Sequence, residues 1–339
     1  MKQPTTIILI IVLAVVVVGG AWWWQSKSFN LPRGGEGVTE TIMVDNQEKE
    51  ITVTDGVKHS VPLEEIRTGC PGRDCIPSID NPRYELVEQA ATWLTGDDIG
   101  LALNLRGVKR FYPFRILVSH EIVNDTIGGQ RVLVSYCPLC FTAIVFDPIV
   151  EGDRVEFGVS GKLWNSNLLM YDRKTEDTLW SQVQGEAVVG PLTGTKLPIL
   201  PSDVSKFGAW SGANPDGKVL SRDTGRSFAS YDSIPYGGDL TNIEPFFPYS
   251  NKDSRLEATD IVAGIVVGDV PKAYLMTAVQ EAGSFTETVG GVSLRVEYVK
   301  GEDAVRVFNA DTNERIPMIP AFWFSWVSTH PETELYKGL

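Results

Sequence analysis

The sequence of 339 residues is poor in the side chains that most often carry catalysis or bind metals. It contains four cysteines and three histidines, and its formal net charge is −13. An acidic chain without a basic face argues against a nucleic-acid partner, because binding to phosphate needs clustered Lys and Arg. No Ser-His-Asp order, phosphate-binding loop or dinucleotide glycine fingerprint occurs. Any reactive site must therefore be built from these few Cys and His residues and their neighbours.

Long hydrophobic runs are also scarce, and only one is long enough to cross a bilayer. Residues 7–24 read IILIIVLAVVVVGGAWWW, without a charge. At 1.5 Å per residue this run matches a hydrocarbon core of roughly 30 Å, and its tryptophans suit the membrane interface. The run predicts a membrane anchor over residues 1–24 and a polar tether over 25–50. It also predicts a single-pass protein of the cell membrane, with a cytoplasmic N-terminus and an extracytoplasmic domain over 51–339.

An internal repeat organises the rest of the chain. Asp98–Asp147 aligns without a gap on Asp260–Asn309, and TIGGQRVLVSY falls on TVGGVSLRVEY. A second similarity places Trp210 on Trp326. The alternating apolar residues and Gly-Gly turns are typical of strands joined by hairpins. We therefore predict a mainly β (α+β) fold with short helices, built from repeats over about 98–222 and 260–338, with an insertion at Pro148–Gly190.

The two repeats differ at the positions that carry chemistry. His120 and Glu121 align with Ala282 and Gly283, whereas Cys137 and Cys140 align with Val299 and Glu302. One repeat therefore holds both signatures, and the other is predicted to be a structural partner without reactive groups.

Cys137 and Cys140 lie in the segment VLVSYCPLCFTAIVFD, between two runs of strand-forming residues. A disulfide, a metal site and a redox dithiol are the three roles open to such a pair. His120, on the predicted inward face of a short helix, is the third candidate, either as an acid–base group or as a ligand. Glu121 is a further acid–base candidate, although on a helix it would turn away from the His120 face. Cys137, Cys140 and His120 would suit zinc or copper.

Cys70 and Cys75 form a second pair, in TGCPGRDCIPSID. Outside the membrane, so close a pair is most simply a local disulfide. The competing interpretation is that they complete a four-cysteine metal site with Cys137 and Cys140.

Several segments together resemble the bacterial and archaeal family called domain of unknown function 3179. They are FYPFRILVSHEIVNDTIGG, VSYCPLCFTAIVFD, FGVSGKLWNSNLLMYDRKTEDTLWSQ and KVLSRDTG. The resemblance covers nearly all of 70–339 and implies no established activity. The chain departs from the family pattern at Phe141, Cys70 and Cys75, where that pattern has glycine. Relatives described as selenoproteins imply redox chemistry.

The leading hypothesis is a membrane-anchored extracytoplasmic protein in which Cys137 and Cys140 act as a redox dithiol, a thiol-disulfide oxidoreductase assisted by His120. Its partners would be the membrane, through the N-terminal helix, and a thiol or disulfide protein. A zinc- or copper-binding protein that uses the same residues is the first alternative. A non-catalytic binding or structural domain is the second alternative.

Overall fold

The alternating apolar residues produce mainly β-structure with a few short helices, as predicted. The computed structural model describes residues 29–32, 35–44, 47–226 and 231–338. The predicted membrane anchor, residues 1–24, lies outside these ranges. Among the residues described, no helix has the length and apolar character needed to span a membrane.

The N-terminal part forms short strands before the first repeat begins. These elements are β1 (Val38–Val44), β2 (Gln47–Thr54), β3 (Val57–His59), β4 (Arg67–Thr68), β5 (Tyr84–Leu86) and helix α1 (Val87–Ala90). Part of the segment predicted as a tether over 25–50 is therefore strand, because β1 pairs with β2 over residues 38–44.

The first repeat opens with two hairpins that flank one helical turn. Its elements are β6 (Ile99–Leu105), β7 (Val108–Pro113), α2 (Phe114–Leu117), β8 (Ile122–Ile127), β9 (Gln130–Cys137) and β10 (Thr142–Phe146). The insertion follows with β11 (Ile149–Val150), β12 (Asp153–Arg154), β13 (Phe157–Trp164), β14 (Asn167–Asp172), β15 (Leu179–Ser181) and β16 (Glu186–Val189). The repeat then resumes with β17 (Ile199–Leu200), β18 (Asp203–Lys206), α3 (Phe207–Ala213) and β19 (Lys218–Leu220).

The second repeat has the same order of elements without the insertion. They are β20 (Ile261–Val267), β21 (Val270–Leu275), α4 (Met276–Ala282), β22 (Ser284–Val289), β23 (Val292–Val299) and β24 (Ala304–Asn309). The last are β25 (Arg315–Ile316), β26 (Ile319–Phe322), α5 (Trp323–Thr329) and β27 (Glu334–Tyr336).

The two repeats match in strand order and in register. One sheet runs β17-β10-β9-β8 in the first repeat and β25-β24-β23-β22 in the second. The other runs β18-β6-β7-β19 and β26-β20-β21-β27, with a parallel last pair in each. Tyr136 pairs with Ala143, as Tyr298 pairs with Val305. The predicted correspondence of Tyr136 with Tyr298 is therefore present in the strand pairing.

The insertion completes a third sheet with the N-terminal strands, in the order β1-β2-β3-β16-β15-β14-β13-β4. The hairpin β13–β14 places its turn against the end of β9, so the insertion covers the cysteine-bearing end of the first repeat. This placement matters for the site described below.

One apolar core runs through both repeats. Phe141 of the first repeat packs on Phe322 of the second, with ring centroids 5.4 Å apart. At the rim, Asp203 of the first repeat binds Arg306 and Arg315 of the second, the former at 2.9 Å from Nη2 to Oδ2. The repeats therefore share both apolar and ionic contacts.

A substitution at Gly264 tests the packing of the second repeat. Its backbone lies under the indole of Trp326, so that an added Cβ would lie 2.3 Å from the ring carbon Cε3. We expect Gly264→Ala to lower the free energy of unfolding by about 1–3 kcal/mol, the range for an overpacked core. Chemical unfolding followed by tryptophan fluorescence measures the change. Gly301→Ala is the control, because no atom lies within 4 Å of its Cβ position. Equal stability of the two variants would contradict the proposed packing.

Candidate functional site

Cys137 and Cys140 lie at the junction of two buried strands. Cys137 ends β9, a single 3-10 turn spans Pro138–Cys140, and Cys137 pairs with Thr142 at the start of β10. This strand–turn–strand arrangement is the one predicted from the flanking residues. Both cysteines are free thiols, and their exposed fractions are only 1% and 0%.

Phe141 closes the cysteine turn in a left-handed backbone conformation, with φ of 55°. Glycine adopts that conformation without steric cost, which gives a physical reason for a glycine in the family pattern at this position. Here the Phe141 ring packs against Phe114 and Phe322, with ring centroids 5.6 Å and 5.4 Å away. Aromatic packing therefore offsets backbone strain next to the thiols.

The two sulfurs share one backbone acceptor. The Ser166 carbonyl oxygen lies 3.2 Å from Cys140 Sγ and 4.0 Å from Cys137 Sγ. Ser166 belongs to the β13–β14 turn, where Asn165 and Ser166 both have positive φ. Burial raises the pKa of the Cys137 thiol well above its usual range, and its hydrogen bond with Cys140 acts in the same direction. The Cys137 thiol therefore keeps its proton at rest.

Glu121 is the acidic group next to this pair. Its φ of 58° is left-handed, and the residue at the same place in the second repeat is Gly283, with φ of 76°. The Tyr136 N–H donates to the Glu121 carbonyl at 2.7 Å, as the Tyr298 N–H donates to Gly283 at 2.6 Å. The Glu121 side chain is buried, and burial raises its pKa to about 8. Its charge contributes to the raised pKa of Cys137, after burial and the interactions with Cys140.

His120 does not reach the cysteines, and this corrects its predicted role. The predicted helix ends at Leu117 after a single turn, so His120 lies in a turn that leads into β8. The Pro77 carbonyl oxygen, 2.7 Å from Nδ1, can only accept, so Nδ1 carries the proton. Nε2 then accepts from the Tyr231 hydroxyl at 2.5 Å. Both ring nitrogens are thus occupied away from the sulfurs.

The metal interpretation loses its ligand set for the same reason. Without His120, Cys137 and Cys140 supply two ligands, whereas a structural zinc site needs four and a catalytic site three from the protein. Within the described ranges, no group of three or more His, Cys, Asp or Glu side chains is arranged to hold a metal ion. The combination of Cys137, Cys140 and His120 is therefore not a metal site here.

Cys70 and Cys75 are bonded to each other as a disulfide. This pairing rules out the alternative four-cysteine metal site with Cys137 and Cys140. The loop is anchored on β13, since the N–H groups of Gly69 and Asp74 donate to Gly161 and Val159 at 2.9 Å and 2.7 Å. The disulfide therefore stiffens a loop that lies against the insertion.

A small cavity of about 220 Å³ opens between this loop and the cysteine turn. Glu121 and Leu139, the residue between Pro138 and Cys140, line its inner side. Tyr236, Phe246 and Phe247 line it from the segment between the two repeats. Neither Cys137 nor Cys140 lines the cavity, whereas Leu139, between them, does.

A buried polar network supports the cysteine turn from the opposite side, and the sequence pattern did not single it out as part of the site. Gln182 accepts from Thr142 Oγ1 and donates to Ser135 Oγ at 3.0 Å. Asn167 donates to both Thr142 and Gln182 at 3.1 Å. The sequence signal for this network is the presence of two amide side chains, Asn167 and Gln182, among the apolar residues of the insertion.

The equivalent position in the second repeat lacks every reactive group. Ala282, Gly283 and Val299 replace His120, Glu121 and Cys137. Glu302, at the place of Cys140, instead binds Arg306, whose guanidinium also contacts Asp203 of the first repeat. The reactive groups therefore occur in one repeat, and Glu302 serves the contact between repeats.

The fold and the site define a mainly β protein of repeated units with one buried dithiol. Residues 73–333 match the family described as a protein of unknown function (DUF3179), and the chain belongs to that family. No curated protein and no solved structure matches the chain.

The raised pKa of Glu121 predicts a pH-dependent stability. The carboxyl titrates near 4.5 in the unfolded chain and near 8 in the folded one, so the folded chain keeps its proton in this interval. The stabilisation is complete below the lower value and is lost as pH rises through the upper one. Glu121→Gln cannot ionise. As pH rises across this interval, the free energy of unfolding of Glu121→Gln should therefore increase relative to that of the wild type, by up to about 1.4 kcal/mol per pH unit.

Urea unfolding at a series of pH values measures this difference. The other titratable groups facing Glu121 are Tyr136, Cys137 and Tyr236, whose pKa values are raised, and Lys162 lines the same cavity. Glu281→Gln, on the exposed surface of the second repeat, is the control and should keep the wild-type profile. If the difference in free energy of unfolding between Glu121→Gln and the wild type did not change with pH, the Glu121 carboxyl would be ionised in the folded chain.

Proposed function

We propose that the protein is a thiol redox protein whose Cys137 and Cys140 cycle between a dithiol and a disulfide. The observation that carries this proposal is the pairing of two free thiols, which share the Ser166 carbonyl as acceptor, with a buried carboxyl group. A purely structural role would need neither free sulfur atoms nor an acid held in a strained backbone conformation. Strained backbone of this kind is concentrated at functional sites.

Glu121, in place of His120, is the acid–base group in this proposal. A general base works best when its pKa lies near the working pH, and that of Glu121 is about 8. The ionised carboxyl accepts the proton of the Cys137 thiol, which produces the thiolate that reacts. A thiolate is the nucleophile in such chemistry, and the buried thiol forms it poorly without a base.

The cycle balances without any resident cofactor. Oxidation forms one sulfur–sulfur bond between Cys137 and Cys140 and releases two protons and two electrons, which the oxidant accepts. Reduction by an external thiol reverses the step through a mixed disulfide. The amide network of Asn167 and Gln182 holds the turn in place during this change, because none of its hydrogen bonds uses a thiol.

The same proposal keeps the cellular setting expected from the sequence. The apolar run at residues 7–24 supports an anchor in the cell membrane, and the Cys70–Cys75 disulfide supports an oxidising compartment for the folded domain. A protein held in such a compartment would meet oxidants. Thiols there can form disulfides, whereas cytoplasmic thiols are kept reduced.

The thiol count of the full-length protein tests the redox cycle. Treatment of the native protein with a small oxidant should remove both free thiols and lower the mass by two hydrogen atoms. Peptide mapping should then show a Cys137–Cys140 bond, and dithiothreitol should restore the thiols. Cys137→Ser should form no such bond, because its partner sulfur is missing.

Val299→Ser is the matched control, since it makes the equivalent change in the second repeat, and it should oxidise like the wild type. Thiols that resist oxidation in the native protein but react after unfolding would instead identify Cys137 and Cys140 as structural residues.

A further inference from the structure

The burial of the thiols restricts what can oxidise them. Cys140 has no exposed surface and Cys137 has 1%, so the disulfide of a folded protein cannot meet either sulfur. Attack on a disulfide needs the three sulfurs of the transition state in contact, and access to the sulfur governs the rate. An oxidant must therefore be small enough to enter the cavity beside Glu121.

We propose that this cavity is the entrance for a small organic hydroperoxide, and that the side chain of Leu139 is the gate between the cavity and the two sulfurs. The inference rests on the redox function proposed above and names its oxidant. It replaces the protein partner expected from the sequence with a small molecule.

The size and lining of the cavity match this class of compound. Its volume of about 220 Å³ is below the roughly 300–1,000 Å³ that is usual for ligand pockets. Phe246 and Phe247 contribute apolar walls, and Phe246 is 79% exposed at the surface. The oxygen-bearing groups on the cavity wall include the Glu121 carboxyl and the Tyr236 hydroxyl. A hydroperoxide has one polar end and an apolar body, whereas a quinone would need polar partners at both ends.

Tyr136, the residue before Cys137, carries a buried donor without a partner. The Tyr136 hydroxyl makes no hydrogen bond within the described chain, although it is fully buried. Its pKa is raised by burial, and the charges of Cys137, Tyr236, Cys140 and Glu121 act in the same direction. An unpartnered buried hydroxyl costs free energy, and the oxygen of a bound hydroperoxide would satisfy it.

Leu139 stands between the cavity and the thiols. It lines the cavity and is 9% exposed, while the cysteines on either side of the Pro138–Leu139 step are buried beneath it. Leucine side chains change rotamer rapidly, so rotation of one apolar side chain opens the path without moving the backbone. The loop that carries the Cys70–Cys75 disulfide is fixed on β13 and forms the far wall.

The reaction balances in two steps. The ionised Glu121 carboxyl takes the proton of the Cys137 thiol, and the resulting thiolate attacks the terminal oxygen of R–O–OH. The O–O bond breaks, Glu121 gives the proton to the leaving alkoxide, which departs as R–OH, and Cys137 becomes a sulfenic acid. Cys140 then attacks this sulfur, a disulfide forms and water leaves. The hydroperoxide gains the two electrons that the two sulfurs lose.

Oxidation kinetics of the reduced full-length protein in detergent test the gate. The probes are tert-butyl hydroperoxide and oxidised thioredoxin, with loss of the Cys137 and Cys140 thiols followed by alkylation and mass spectrometry. We expect Leu139→Ala to speed the reaction with tert-butyl hydroperoxide, and Leu139→Trp to slow it, each by about tenfold, a factor within the effect of small size changes in apolar pockets. Oxidised thioredoxin should leave the thiols of the wild type unreacted.

Leu86→Ala and Leu86→Trp are the matched controls, because Leu86 is 41% exposed on β5 and does not line the cavity. Phe246→Ala provides a variant that need not disturb the core, since its side chain is mostly exposed. This variant should slow thiol oxidation by cumene hydroperoxide more than oxidation by hydrogen peroxide, because only cumene hydroperoxide contacts the apolar wall.

The outcomes separate this inference from the function on which it rests. If no probe oxidises the wild-type pair, the redox function itself is wrong. If oxidised thioredoxin reacts faster than the hydroperoxide, or if both Leu139 variants react like the wild type, the redox function stands and the gated small-molecule entrance is wrong.

Discussion

The backbone changes direction at Glu121, between the single helical turn α2 and strand β8. The orientation of the side chains around the thiols depends on this change of direction. A left-handed backbone at Glu121 ends α2 after Leu117 and brings the Glu121 carbonyl to the N–H of Tyr136. Had the helix continued, His120 would share a face with Ile116 and Leu117. Instead His120 turns toward Pro77 and Tyr231, and the carboxyl of Glu121 turns toward Cys137.

The second physical constraint is desolvation. Burial raises the pKa of the Cys137 thiol and that of the Glu121 carboxyl, because a buried charge loses its hydration. A second negative charge beside the first would cost still more, so that Glu121 and Cys137 cannot both ionise readily. The three groups therefore behave as a unit that gives up one proton at a time. Oxidation to a disulfide relieves part of this constraint, since the sulfur–sulfur bond removes two ionisable groups.

The repeat could be predicted from the sequence because register is a sequence property. The alignment has no gap, so strand partners in one repeat fall on strand partners in the other, down to Tyr136 and Tyr298. The strand–turn–strand form of the cysteine segment followed from its β-branched neighbours in the same way. The disulfide between Cys70 and Cys75 followed from their spacing.

The role of Glu121 was harder to predict, because helical periodicity says nothing about where a helix stops. The necessary signal was nevertheless in the alignment, where Glu121 falls on Gly283. A glycine in one repeat indicates a position that needs positive φ. Read in that way, the alignment would have ended the helix before residue 121. The supporting network of Asn167 and Gln182 could not be found by comparing the two repeats, because the insertion has no counterpart in the second repeat.

The insertion also explains how one of two similar units came to hold the reactive groups. Two strands and a turn leave the end of β9 open to solvent, as in the second repeat, where Tyr298 and Val299 are only half-buried. In the first repeat the β13–β14 turn covers that end, and its Ser166 carbonyl accepts from the thiols. Burial of the dithiol, the raised pKa of Cys137 and the narrow access past Leu139 all depend on this cover. Without it, the same four-residue Cys-Pro-Leu-Cys segment would be an exposed thiol pair.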